Sequence, residues 1–149
     1  MGYIVLISCC SKKAKDRCPA KDLYISPLFK KSLAYARKLT SDDKKIFILS
    51  AEHHLLSLNQ EISPYNITLN TMGIDKRKEW AEKVNPQIEE ILKNNQKDDI
   101  IVLAGENYRE FLDFKGRPVN VPLKGMRIGQ MLERLNELIN EYYDNDKIS

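Results

Sequence analysis

Three short apolar runs, Tyr3–Ser8, Lys45–Ser50 and Asp99–Ala104, constrain this chain more than any other feature. Each is continuous and rich in Ile, Val and Leu rather than alternating, the pattern of parallel strands covered on both faces. Pro118–Val121 is a weaker fourth. Helical stretches separate them, which predicts an α/β fold, a three-layer sandwich around a mostly parallel central sheet. Right-handed crossovers would place the strands' carboxyl ends on one edge, where ligands of such folds sit. That edge receives Ser8-Cys9-Cys10, Ser50-Ala51-Glu52-His53-His54 and Ala104-Gly105-Glu106-Asn107-Tyr108. Small residues followed by a polar cluster, three times over, point to one composite site.

The helical stretches carry little chemistry. Ser26-Pro27 is a helix start, a capping hydroxyl before Pro at the first position, and the helix should run to Leu39. Asp75–Asn94 has Trp80, Val84, Ile88, Ile91 and Leu92 as its apolar stripe, with Pro86 expected to kink or break it. Glu106–Leu112 makes a short helix. Arg127–Tyr143 makes a long one, in which Ile128, Met131, Leu132, Leu135, Leu138, Ile139 and Tyr142 read as core packing. With 149 residues and no repeat or linker, one domain over 1–149 is expected.

The first strand opens into a basic loop. The net charge is only +3, but Met1 to Lys38 holds nine Lys or Arg against Asp16 and Asp22, a surplus of seven. The tail from Glu133 to Ser149 is net negative, with five acids against Arg134 and Lys147. A basic N-terminal third suggests a phosphate-bearing partner. No apolar run approaches the ~20 residues that span a bilayer, and Tyr3–Ile7 is too short for a signal core. The expectation is a cytoplasmic protein with no membrane partner. Cys9 and Cys10 are adjacent and Cys18 is odd, so reduced thiols are the simpler account, and without a CxxC pair no metal is expected. Lys12 and Lys13 would lower the pKa of a nucleophilic thiol beside them.

From Ala51 to Met72 runs a long connection without clear periodicity, too rich in Leu, Ile and Tyr to be disordered. It should fold over the sheet edge as a packed lid. His53 and His54 are the only histidines. Adjacent side chains diverge, so one at most should face the site, and His53 is favoured. Gly105 permits close backbone approach at a helix start, and Tyr108 could stack on a base or pack in the core. Lys124 and Arg127 precede the last helix, where a cation opposes the helix dipole unless an anion binds there. Neither GxGxxG nor a P-loop occurs, so ATP, NAD and GTP are poor candidates and no cofactor is expected.

The segments CSKKAKDRCPAKDLYISPLFKKS, ILSAEHHLL, ISPYNITLN, VLAGENY and PLKGMRIGQML together resemble the small CSKxK-type domain family. That family is similar to the peroxide-stress protein YaaA and, more remotely, to the middle domain of archaeosine synthase. The shared order covers nearly the whole chain. The resemblance implies a uracil-DNA-glycosylase-like fold and a connection to nucleic acid, damaged bases and oxidative stress. Two positions depart from the family pattern. His54 stands where LSAxHGLL has glycine, and Asn66 stands where PYD has aspartate. Asn66 cannot act as a base, though it could position a water or read a base edge. Glu52, Glu61 or Glu106 would then have to serve.

The sequence therefore predicts a protein that binds a phosphate backbone and acts on a nucleobase or its N-glycosidic bond, on DNA in preference to RNA. His53, Asn66, Glu52 and Glu106 are the catalytic candidates. Ser11, Lys12, Lys13, Lys21, Tyr24, Tyr65, Thr68, Gly105, Tyr108, Lys124 and Arg127 are the candidates for holding phosphate and base. A non-catalytic DNA-binding stress protein and a small-molecule nucleoside or nucleotide enzyme are the two alternatives.

Overall fold

A computed structural model describes residues 2–148, with side chains over residues 2–141. In chain order the elements are β1 (Tyr3–Ser8), β2 (Cys18–Pro19), α1 (Ala20–Leu23), α2 (Pro27–Leu39), β3 (Ile46–Ser50), β4 (His54–Ser57), β5 (Glu61–Ile62), α3 (Ile74–Asn94), β6 (Asp99–Leu103), α4 (Glu106–Arg109), β7 (Val119–Asn120) and α5 (Ile128–Ile148). The main sheet is mixed, in the order β4-β3-β1-β6-β7. β1 pairs in parallel with β3 and β6, and β6 with β7, while β4 pairs antiparallel with β3. The parallel strands bring Ser8, Ser50 and Leu103 to one edge. β1 lies at the centre, and Ile4 through Ile7 are buried, as a strand covered on both faces must be.

Local chemistry fixes the helices. Ser26 Oγ accepts from the Phe29 N–H at 3.2 Å, Pro27 follows it, and α2 then buries Phe29, Leu33, Tyr35 and Ala36. Burying Phe29 alone contributes roughly 1.5–3 kcal/mol. α2 packs on β1 and on α5. α3 lies along β4 and buries Trp80, Ala81, Val84, Ile88 and Leu92. The break expected at Pro86 is absent, and α3 is assigned as one helix through it. Proline removes the hydrogen bond to the carbonyl four residues back, at Glu82, and both residues are exposed, where water replaces it. Tyr142, assigned above to the core stripe of the last helix, lies outside the described side chains.

The connection after Ala51 differs from a simple lid. Its first part is β4, the edge strand of the sheet, in register from Ser50↔His54 to Phe47↔Ser57. Leu55 and Leu56 are both buried, so no alternation marked it as a strand. Further on, β5 pairs with β2 of the basic loop, Cys18↔Ile62 and Pro19↔Glu61. The basic loop is itself ordered by hydrogen bonds from Ala14 N to the Leu23 carbonyl and from Lys21 N to the Leu58 carbonyl. Among the described residues no helix is long and apolar enough to cross a membrane.

Candidate site at the strand ends

Cys9 continues β1 by one residue, its N–H donating to the Leu49 carbonyl at 2.9 Å. The chain then turns, and the residues after it form one wall of a cavity of about 330 Å³. Ser8, Cys9, Cys10 and Ser11 make that wall. Ser26, Pro27 and Leu28 come from the start of α2, and Gly105 and Tyr108 from the turn after β6. Asn70 belongs to the connection, and Ile128, Met131 and Leu132 to the first turns of α5. A smaller space of about 40 Å³ beneath it reaches Phe29, Ser32 and Leu123. Among the described residues no charged side chain lines either space. Hydroxyls, thiols and one amide provide the polar contacts, and Leu28, Ile128, Met131 and Leu132 provide apolar faces.

Two buried hydroxyl clusters flank Cys9. In one, the Tyr65 hydroxyl lies 2.6 Å from that of Tyr24 and 2.8 Å from Ser50 Oγ, which also accepts from the His53 N–H at 3.0 Å. The His53 ring meets the Tyr65 ring edge-on at 5.4 Å, and Lys13 Nζ sits 4.4 Å from the Tyr65 centroid. In the other cluster, the Tyr108 hydroxyl accepts from Cys9 Sγ at 3.3 Å and from Leu69 N at 3.3 Å, and lies 3.2 Å from Thr68 Oγ1. Burial pushes the Tyr24 phenol up to about 12 and raises Tyr65 and Tyr108 as well. All three stay protonated near neutral pH, so they act as hydrogen-bonding struts rather than as nucleophiles.

The residues singled out in the sequence fall into three groups. Ser11, Gly105 and Tyr108 share the cavity wall, and Thr68 braces Tyr108. Lys13, Tyr24, Tyr65 and His53 form the first hydroxyl cluster and its cap. Lys12, Glu52, Glu61, Asn66, Glu106, Lys124 and Arg127 are exposed and Lys21 is half-buried, and none of these lines the cavity. Tyr24 is 1% and Tyr108 4% exposed, so neither ring has a free face for stacking, and Tyr108 instead meets Trp80 edge-on at 5.8 Å. The composite site is thus narrower than the sequence suggested, because the end of β3 delivers its polar cluster to the side of the cavity. His53 and His54 diverge as adjacent residues should, and His54 lines a separate cavity against α3.

Cys10 Sγ donates to the Lys12 carbonyl at 3.2 Å, and all three cysteines are free. Among the described residues no three His, Cys, Asp or Glu side chains gather as metal ligands. Ser26, Asn70 and Met131 were missed as site residues. Ser26-Pro27 was legible as a helix start, and its distance from the strand end was the clue that it returns to the same edge. Met131 was indistinguishable from core by spacing.

Residues 4–137, nearly the whole chain, match a family described as a family of unknown function (DUF6884). No curated protein matches the chain.

Proposed function

The chain belongs to this family, and we propose that it binds nucleic acid, holding phosphates on the basic loop and taking one unstacked base into the strand-end cavity. The supporting observation is a cavity with no charged side chain among the described residues, whose wall residues adjoin cations along the chain. Ser11 on the wall is followed by Lys12 and Lys13, and Ile128 on the wall is preceded by Arg127. A base is an uncharged ring with a hydrogen-bonding edge and apolar faces, and its phosphates need cations outside the pocket. About 330 Å³ lies at the small end of ligand cavities, a size suited to one base with part of its sugar.

The resemblance to the CSKxK-type and YaaA-like proteins favours DNA over RNA. It also supports the finer fold, a three-layer uracil-DNA-glycosylase-like sandwich with α2 and α5 on one side and α3 on the other. Action on the base or its N-glycosidic bond is the more demanding half of the reading. Among the described residues no carboxylate or imidazole lines the cavity, so Asn66, Glu52 or Glu106 would have to reach a water from outside it. That wall favours the non-catalytic DNA-binding alternative. The cavity's limited size favours the second alternative, a free nucleoside or nucleotide as ligand.

Single-stranded DNA carrying one 2-aminopurine tests the proposal. Binding read by anisotropy should be accompanied by a change in 2-aminopurine emission as the base leaves its stack. Anisotropy without an emission change would remove the base pocket from the proposal, and a mononucleotide competing as well as the oligonucleotide would favour the free-ligand alternative. Incubation with damaged or modified bases then decides turnover, since binding without any abasic or altered product leaves the non-catalytic form.

A further inference from the structure

His54 carries a positive φ of 64°, the left-handed region that glycine occupies freely and other residues enter at a cost. Its side chain lines a cavity of about 340 Å³ that shares no residue with the strand-end site. Ala51, Met72 and the buried Trp80 give this cavity apolar wall. Lys76, Glu79, Glu82 and Lys83 of α3 bring two charges of each sign to it. Glu79 and Lys83 have the spacing of a helical ion pair, yet none of these four side chains belongs to any ion pair among the described residues. Strained residues persist where something other than local stability holds them, and the inference runs from the outlier to a function.

We propose that this cavity is a second binding site, for a small zwitterion whose anionic group meets Lys76 and Lys83 and whose ammonium meets Glu79 and Glu82, with His54 as hydrogen-bond partner. Equal and opposite charges on the wall oppose a polyanion such as nucleic acid and fit a compact molecule carrying both signs. Burial, then Lys83 and His53, hold the His54 imidazole below its usual range against the opposing pull of Glu52. A neutral imidazole offers one donor and one acceptor to a ligand.

Trp80 is the chain's single tryptophan and lies on the cavity wall, so its emission reports occupancy. Titration with phosphoethanolamine and with β-alanine should give a saturable change for at least one of them. Inorganic phosphate and ethylamine, each with half of the charge pattern, should bind roughly tenfold more weakly or not at all. His54→Gly suits the backbone and should fold, yet weaken the zwitterion by about tenfold. Lys76→Gln with Lys83→Gln should weaken it further. No saturable change with either zwitterion, equal binding of inorganic phosphate, or an unaltered affinity in folded His54→Gly would each overturn the proposal.

Discussion

The Tyr65 hydroxyl lies 2.6 Å from the Tyr24 hydroxyl, and this contact joins the connection after β5 to the loop before α2. Ser50 Oγ, at 2.8 Å from Tyr65, adds the end of β3 to the same knot. Three segments far apart in sequence therefore depend on one phenol. Tyr65→Phe keeps the ring and leaves two buried hydroxyls short of a partner, which costs about 1–3 kcal/mol. Urea unfolding should show that loss. Tyr24→Phe should cost a similar amount, and the double variant less than the sum, because the two share one hydrogen bond.

A second tie sits at the opposite edge of the sheet. Asp98 accepts from Lys45 Nζ at 2.8 Å and from Gly2 N at 3.0 Å, anchoring the start of β1. Its carboxyl is held below the ordinary range, first by the Lys45 hydrogen bond and then, against some burial, by the Lys45 charge and Gly2. A depressed carboxylate contributes stability above its unfolded pKa and loses it as pH falls through the folded one. Asp98→Asn should therefore lower the urea midpoint at pH 7 and flatten its decline between about pH 4 and pH 2, where an unpaired aspartate would already be protonated. An acid limb as steep as the parent's would remove Asp98 from this role.

Lys12 and Lys13 are adjacent but not equivalent. Lys12 is exposed, whereas Lys13 also lies over the Tyr65 ring. Removing one cation that neutralises a phosphate should reduce the slope of log affinity against log salt by about 0.7–0.9. Lys12→Gln should change that slope and leave stability alone. Lys13→Gln should change the slope and also cost about 0.5–1 kcal/mol of stability, because no ammonium then covers the Tyr65 ring. An unchanged salt slope in the double variant would separate this loop from nucleic acid, whereas His53→Ala should leave binding intact if the protein is not catalytic.

Gly105 has an ordinary φ of −72°, and a Cβ added there would meet nothing within 4 Å, so the space beside it is open to a ligand's close approach. Its contribution is empty space on the cavity wall. Gly105→Asn keeps a good helix-capping residue and adds bulk beside the cavity. The melting temperature should hold while uptake of the 2-aminopurine base falls roughly tenfold, or about 1.4 kcal/mol. Full uptake would place the base elsewhere.

What could be read from the sequence was whatever local patterning fixes. The three long strands were legible because residues covered on both faces must be continuously apolar. Ser26-Pro27 was legible because a capped helix start has its own chemistry. β4 was not, since Leu55 and Leu56 are buried together and the strand's identity comes from its pairing with β3. The cavity was half legible. Strand ends predict which loops meet, but not that Ile128 and Met131 turn toward them while His53 turns aside to Tyr65. Such choices depend on packing between elements, which spacing along a chain does not encode.

The backbone at His54 offers the most direct check on that boundary. The turn from β3 into β4 holds residue 54 at a φ of 64°, the region that glycine occupies freely. A left-handed L-residue costs roughly 1–2 kcal/mol, and glycine's greater freedom in the unfolded chain returns about 0.5–1 kcal/mol of that. His54→Gly should thus stabilise the protein by about 0.5–1 kcal/mol, read as a higher urea midpoint with an unchanged slope. His54→Ala should not, because alanine carries the same Cβ into the same strained backbone. If alanine stabilised as much as glycine, the gain would come from removing the imidazole, and the strain at residue 54 would play no part.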